Sequence, residues 1–166
     1  MAKLTISQAL EKASKAHKFG KLQDAHRILK TILKYEPQHP DANHNMGVLL
    51  VSMSKLDDAL FFFEKALEAN SNVAQFWYNN IDLLIKLQRF SDAQILLSQA
   101  KDKGAEGDAF EMLEQRLLSQ SLKEGIQLGV QRVNDYCENG QFTQAIDTSV
   151  KLSKIFPNSE IFYFRL

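Results

Sequence analysis

The sequence predicts an all-α solenoid built from antiparallel helix pairs. The strongest evidence is a repeat, because Ala25, Ala59 and Ala93 are 34 residues apart and each directly follows an aspartate. Each alanine also begins a run in which apolar residues recur at helical spacing. A period of this length is typical of a two-helix repeat, and a single pair of helices cannot bury its apolar face alone. The copies are therefore expected to stack, and the extended surface that results favours binding over catalysis.

The composition argues against several classes of protein. The 166 residues carry twenty basic and twenty acidic side chains, so the chain lacks the overall basic excess of a nucleic-acid-binding protein. The single cysteine, Cys137, cannot form an intramolecular disulfide, which fits a reducing compartment. No apolar run approaches the ~20 residues of a membrane span, and the first residues do not resemble a secretory signal. We therefore expect a cytoplasmic protein whose partner is neither nucleic acid nor membrane.

Three complete copies of the repeat account for residues 1–104, at about 5–37, 40–71 and 74–104. Each copy is expected to form a helix, a tight turn and a second helix that starts near the alanine. A small residue there lets the two helices approach closely. Gly20 fits the left-handed residue that ends a helix, and Pro37 ends the second helix of its copy because proline cannot continue one.

A fourth copy lies out of step with the first three. It contains Gly140, Phe142, Ala145 and Pro157 in the expected order, but Ala145 follows Ala93 by 52 residues, which is 34 plus 18. We therefore assign residues 122–157 to a fourth repeat and residues 105–121 to an inserted or irregular helix.

The inserted region contains two candidate helix starts. Asp108 with Glu111, and Ser121 with Glu124, both have the spacing of a capping box. They predict one helix over about 108–119 and a second over about 122–138. The alternative is a single kinked helix over the whole span. The break is favoured because the apolar periodicity slips between Leu117 and Leu122.

The last residues, 158–166, are rich in aromatic and apolar side chains. They are interpreted as the first helix of a further repeat that is cut short, which would make the chain the N-terminal array of a larger bacterial protein. An array that ends without a polar cap also exposes apolar surface, and such surface often marks association sites. A homodimer through this C-terminal end is therefore a second expectation.

The residues at fixed positions of the copies resemble those of the tetratricopeptide repeat. Repeat 2 supplies Met46, Gly47, Leu50, Ala59, Phe63 and Ala66, and repeat 3 supplies Trp77, Leu84, Ala93, Leu97 and Ala100. Asn80 and Ile81 depart from the pattern. The resemblance implies a right-handed superhelix of about nine or ten helices, in which the first helices of the repeats line a concave groove that binds proteins or peptides.

The same resemblance places particular side chains in that groove. The candidate binding residues in repeats 2 and 3 are His44, Asn45, Val48, Ser52, Tyr78, Asn79, Asp82 and Lys86. Asn45 and Asn79 occupy equivalent positions, and an amide can both donate to and accept from a peptide backbone. The pair is similar to the asparagine ladder of some glycosyltransferase arrays. The alternative is that asparagine is merely a tolerated polar residue on a solvated face.

A second use of the family's groove is a carboxylate clamp for the C-termini of heat-shock chaperones. The five positions of that clamp hold Leu10, Ser14, Asn45, Gln75 and Asn79 here. Only one matches, and a carboxylate would lack the basic partners that it needs. We therefore expect no chaperone docking of that kind.

The sequence contains no recognisable catalytic, cofactor-binding or metal-binding motif. The four histidines lack metal-site spacing, and Cys137 is interpreted as a half-buried helix residue. The function expected is therefore a protein- or peptide-binding scaffold rather than an enzyme. The alternative is that the array recruits substrates for a larger enzyme, of the glycosyltransferase, methyltransferase or sulfotransferase type, whose catalytic domain is absent here.

Overall fold

The computed structural model describes residues 4–159, and every regular element in that range is an α-helix. The eight helices are α1 (Ile6–Lys18), α2 (Leu22–Tyr35), α3 (Pro40–Ser52), α4 (Leu56–Ala69), α5 (Ala74–Lys86), α6 (Phe90–Asp102), α7 (Asp108–Glu138) and α8 (Phe142–Ile155). The predicted all-α solenoid of antiparallel helix pairs is confirmed. The chain forms two compact units, which divide between Glu114 and Gln115 within α7.

The first unit contains three helix pairs, α1–α2, α3–α4 and α5–α6, and the second helix of one pair packs against the first helix of the next. The alanines that define the period, Ala25, Ala59 and Ala93, have no solvent-exposed surface. Because their side chains are small, the two helices of each pair can approach closely. Gly47 has the same role on α3, because a Cβ at this residue would lie 2.5 Å from the ring of Phe63 on α4.

The turn inside each pair has one repeated geometry. Gly20, Ser54 and Gln88 all have positive φ angles, of 71°, 58° and 59°. After each of them, the next backbone N–H bonds to a carbonyl five residues earlier, as in Lys55 N to Leu50 O at 2.9 Å. This is the Schellman arrangement that ends many helices. The predicted glycine is present at the first turn, while serine and glutamine adopt the same left-handed conformation at the next two.

The link before each first helix is also held in a repeated way, although by different side chains. Trp77 donates from its indole nitrogen to the carbonyl of Ser71 at 2.8 Å. Asn43, which is 34 residues earlier, donates from its amide to the carbonyl of Pro37 at 2.9 Å. Both donors are buried, so each satisfies a loop carbonyl that would otherwise lie unpaired next to the core.

The prediction of two helices between residues 108 and 138 is wrong, because α7 is one continuous helix of 31 residues. The apolar periodicity that suggested a break includes Leu122, which is about half exposed and takes no part in the core. The buried stripe of α7 is instead formed by Phe110, Leu113 and Leu117, and by Val133 farther along. Ser121 and Glu124 are thus interior residues of the helix and form no capping box.

The second unit consists of the later part of α7 packed against α8. Gly129 allows this approach, since a Cβ there would lie 2.8 Å from the Leu152 side chain. Ala145 is buried at the start of α8, as its sequence position predicts. The expected further repeat begins at residue 158 and lies almost entirely outside the described residues. The division of the chain at residues 104, 121 and 157 remains a prediction.

Candidate binding groove

The first helices of the three pairs, α1, α3 and α5, form a continuous surface with two small depressions. The first has a volume of about 130 Å³ and is lined by residues of α1, α2 and α3 that include His17, Asn45 and Val48. The second has a volume of about 160 Å³ and is lined by residues of α3, α4 and α5 that include Val48 and Ser52. Val48 lines both depressions, so they are neighbouring parts of one groove.

A hydrogen bond ties α1 to α3 in this groove. The Nε2 atom of His17 lies 2.8 Å from the hydroxyl of Ser52. That hydroxyl donates its own proton to the carbonyl of Val48, so the imidazole nitrogen must be the donor to Ser52. The bond fixes the spacing of the first two repeats at the surface where a ligand would lie.

A second bond ties α3 to α5 one repeat farther on. The amide nitrogen of Asn79 lies 2.7 Å from Nε2 of His44, and the Asn79 oxygen accepts from Gln75 at 2.9 Å. Asn79 therefore donates to His44, and the proton of the neutral imidazole lies on Nδ1. The residues of each bond, 17 with 52 and 44 with 79, are 35 apart in sequence.

The imidazole of His44 is held between aromatic rings. It stacks on Phe76 with a centroid distance of 4.7 Å and lies 5.7 Å from the ring of Phe63. Burial lowers the pKa of His44 below its usual value, while the Asn45 amide and the negative charge of Asp41 act in the opposite direction. The neutral form is therefore favoured, which agrees with an Nε2 atom that accepts a hydrogen bond.

Two further candidates on α5 have partners within the protein. Asp82 and Lys86 form an ion pair with an O–N distance of 2.7 Å, and both line the second depression. Tyr78 packs edge-to-face against Phe110 of α7, with a centroid distance of 6.3 Å. Tyr78 thus helps to hold the start of α7 in place. This packing role is separate from any contact with a ligand.

The eight predicted binding residues consequently lie on one surface but differ in their availability. Asn45, Val48, Ser52, Asn79, Asp82 and Lys86 line the depressions. His44 and Tyr78 are half-buried beside them. Asn45 and Asn79 do lie on adjacent first helices, yet both polar ends of the Asn79 amide are already bonded within the protein. A role for these residues in binding remains a prediction.

The equivalent surface of the fourth repeat lies in the second unit. The residues of α7 that correspond to the groove positions of the earlier repeats are Gln131, Asn134, Cys137 and Glu138. Cys137 is exposed rather than half-buried as expected, because its position near the C-terminal end of α7 lies outside the buried stripe of that helix.

The groove offers amide, hydroxyl, carboxylate and ammonium groups around small apolar patches, a mixture suited to a peptide backbone and its side chains. Among residues 4–159, the acidic, histidine and cysteine side chains form no cluster of three or more that could hold a metal ion. Over the same range, each helix is too short or too polar to cross a membrane.

The sequence pattern places these residues on one helix face each, but it does not reveal the hydrogen bonds between them. One feature of the sequence could have indicated these bonds, because His17 and Ser52 have the same spacing of 35 residues as His44 and Asn79. The buried polar residues Asn43 and Asn80 were also missed as core residues. In the sequence, Asn80 is visible only as a departure from the pattern of the repeat.

Comparison with known proteins supports the same fold. Residues 50–117 match the family model described as the tetratricopeptide repeat. The chain is also similar to the TPR2B domain of yeast Sti1, solved in a complex with pHsp70, with 17% identity and a TM-score of 0.62 over 71% of this chain and 97% of that one. Identity at this level shows a shared fold.

Two further solved structures show the same likeness. The Yersinia enterocolitica type III secretion chaperone SycD, in complex with a peptide of the translocator YopD, has 20% identity and a TM-score of 0.59 over 76% of this chain and 95% of that one. The O-GlcNAc transferase of Thermobaculum terrenum has 21% identity and a TM-score of 0.55 over 62% of this chain but only 20% of the enzyme.

Proposed function

We propose that this chain is a protein- or peptide-binding scaffold of the tetratricopeptide-repeat type, which uses the groove on α1, α3 and α5. The observation that carries the proposal is the continuity of this surface. Two depressions share Val48, and a hydrogen bond between neighbouring first helices lies beside each of them. A groove held in this way is preorganised, so a peptide can bind without the cost of ordering the surface first.

The related structures support the same proposal. Yeast Sti1 and Yersinia SycD were solved with pHsp70 and with a YopD peptide, respectively. The ligand of the present chain need not resemble theirs in chemistry. The positions of a carboxylate clamp hold leucine, serine, asparagine, glutamine and asparagine here, so we propose a ligand that is recognised by amides and apolar contacts rather than through a terminal carboxylate.

A peptide selection tests the site directly. Peptides selected from a random display library against the immobilised chain should bind Asn45→Ala at least about tenfold more weakly than wild type, if the amide makes a buried bond to the ligand. The matched control is Asn72→Ala, which removes an exposed amide from the loop before α5. Selected peptides that bind both variants as tightly as wild type would place the ligand outside the groove.

A second candidate function is a substrate-recruiting arm of a larger enzyme. It is favoured by the similarity to one fifth of the Thermobaculum O-GlcNAc transferase. The array would then bind the protein substrate while a glycosyltransferase, methyltransferase or sulfotransferase domain carried out the reaction. The full-length reading frame distinguishes the two, because only the second function needs a catalytic domain in the same chain.

We add four narrower proposals. The chain itself carries no catalytic activity and acts in the cytoplasm, in keeping with its single exposed cysteine. It uses neither nucleic acid nor membrane as a partner. A homodimer through the C-terminal apolar end also remains a proposal, and the residues concerned, 160–166, are not among those described.

A further inference from the structure

The net charge of zero conceals a strong separation of charge along the array. Residues 4–37, the first repeat, contain seven basic and three acidic residues, whereas residues 38–114 contain six basic and twelve acidic ones. The first unit therefore has a basic end that is followed by an acidic body. A charge distribution of this kind can steer the association of molecules, even when the net charge of the chain is zero.

The separation is also present on the face of the second helices. Lys30 and Lys34 are exposed on α2, and Glu64 and Glu68 are exposed on α4. Glu68 forms an ion pair with Lys65 of the same helix, so the excess negative charge of this part of α4 lies mainly on Glu64. Each glutamate lies 34 residues after its lysine, so the two pairs occupy equivalent positions in consecutive repeats. Because the turns of consecutive repeats have the same geometry, residues 34 apart occupy equivalent places on neighbouring second helices. A basic patch and an acidic patch thus lie side by side on one face.

Apolar side chains interrupt both patches. Tyr35 is 77% exposed beside Lys34, whose ammonium group lies 6.0 Å from the tyrosine ring. Phe61 is 55% exposed on α4, one helical turn before Lys65, which lies 5.9 Å from its ring. Exposed aromatic residues within a charged rim are typical of the surfaces through which proteins associate.

We propose that two copies of this chain pair through the faces of α2 and α4 around a two-fold axis. The axis would lie between the two helices, so that α2 of each copy rests on α4 of the other. Adjacent patches of opposite charge are self-complementary under such an operation, since each patch meets its opposite twice. A patch of only one sign would repel the same patch on a second copy of the chain. The presence of both a basic and an acidic patch therefore favours a second copy as the partner.

This interface is separate from the proposed binding groove. The groove lies on the first helices, α1, α3 and α5, whereas pairing would cover the second helices, α2 and α4. A dimer would therefore present two free grooves, and a ligand with two binding segments would gain avidity from it. The pairing does not depend on the proposed function, and either could fail without the other.

Charge reversal tests the pairing. Lys30→Glu with Lys34→Glu makes the basic patch acidic, and Glu64→Lys with Glu68→Lys makes the acidic patch basic. Sedimentation velocity over a range of concentrations, in about 50 mM and about 500 mM salt, should show wild type as a dimer that weakens at the higher salt. Each double variant should dimerise at least about tenfold more weakly, because attraction becomes repulsion at both halves of the interface.

The mixture of the two variants gives the decisive result. One acidic and one basic face are fully complementary, so the mixed sample should form a heterodimer at least as tight as the wild-type dimer. Lys12→Glu with Lys123→Glu is the matched control for the lysine variant, since it lowers the net charge by the same amount at exposed sites elsewhere. The proposal is overturned if wild type is monomeric at low salt, or if both variants dimerise like wild type. Circular dichroism confirms that each variant is folded.

Discussion

At the scale of single residues, His44 links the binding groove to pH. Its imidazole is packed against Phe63 and Phe76 and accepts a bond from Asn79, while Asp41 is the charged group that acts on it. Its pKa in the folded chain is lowered, chiefly by burial. The unfolded chain therefore takes up the proton first, at a pKa near the ordinary value of about 6.5. Stability from this group is complete above that pH and is lost as the pH falls towards the folded-state pKa.

This difference predicts a pH effect that depends on His44. The free energy of unfolding of wild type, measured with urea at about pH 7.5 and about pH 5.5, should fall more than that of His44→Gln. Glutamine cannot take up a proton, and the other titrating groups are common to both chains. Equal losses in the two proteins would contradict the assignment of a lowered pKa to this side chain.

Single residues also show how far the sequence could predict the groove. Val48 and Asn45 were placed correctly because the helical period alone decides which side of α3 they occupy. The bonds of Asn79 to His44 and Gln75 could not be found in that way, since they depend on the spacing between α3 and α5 and on rotamers. Because of these bonds, Asn79 has a structural role in the groove in addition to any role in binding.

At the scale of elements, the three turns between paired helices need the same left-handed residue, but only the first of them has glycine there. A residue other than glycine costs roughly 1–2 kcal/mol in the left-handed conformation, which Ser54 and Gln88 both adopt. Ser54→Gly or Gln88→Gly should therefore stabilise the protein by about 0.5–1 kcal/mol, after the larger entropy of glycine in the unfolded chain is subtracted. Urea unfolding monitored by circular dichroism measures the change.

The matched control for these turns is Ser98→Gly. Ser98 is exposed within α6, where glycine lowers helix stability by roughly 0.5 kcal/mol relative to serine. The same chemical change should thus raise stability at residue 54 and reduce it at residue 98. A loss of stability at both sites would contradict the left-handed geometry of the turn.

The helices themselves show which elements the sequence could define. The bounds of α1 to α6 follow from the period, because left-handed turns and small residues recur at fixed positions. The period fails between Ala93 and Ala145, and there the prediction relied on local capping signals instead. In α7 the helix continues through the second candidate start, and Leu122 is exposed to solvent.

At the scale of the whole molecule, the two compact units differ in how much they bury. In the first unit each helix pair contributes several buried apolar side chains, among them Leu29, Leu49 and Ile81. In the described part of the second unit, Leu117, Val133 and Ala145 are the buried apolar residues, while Phe142 and Ile146 on α8 are at least half exposed. Stability in repeat arrays is approximately a sum over local units and their interfaces, so the second unit should be the weaker one.

Unequal units predict that unfolding does not occur in a single step. Trp77, the only tryptophan of the chain, is buried in the first unit, whereas circular dichroism reports the helices of both. In urea, the loss of helical signal should therefore begin before the tryptophan fluorescence changes. Val133→Ala should move only the early transition to lower urea, because it removes buried methyl groups from the second unit at a cost of about 1 kcal/mol or more. Coincident transitions in wild type, or a shift of both transitions in the variant, would show that the two units unfold as one.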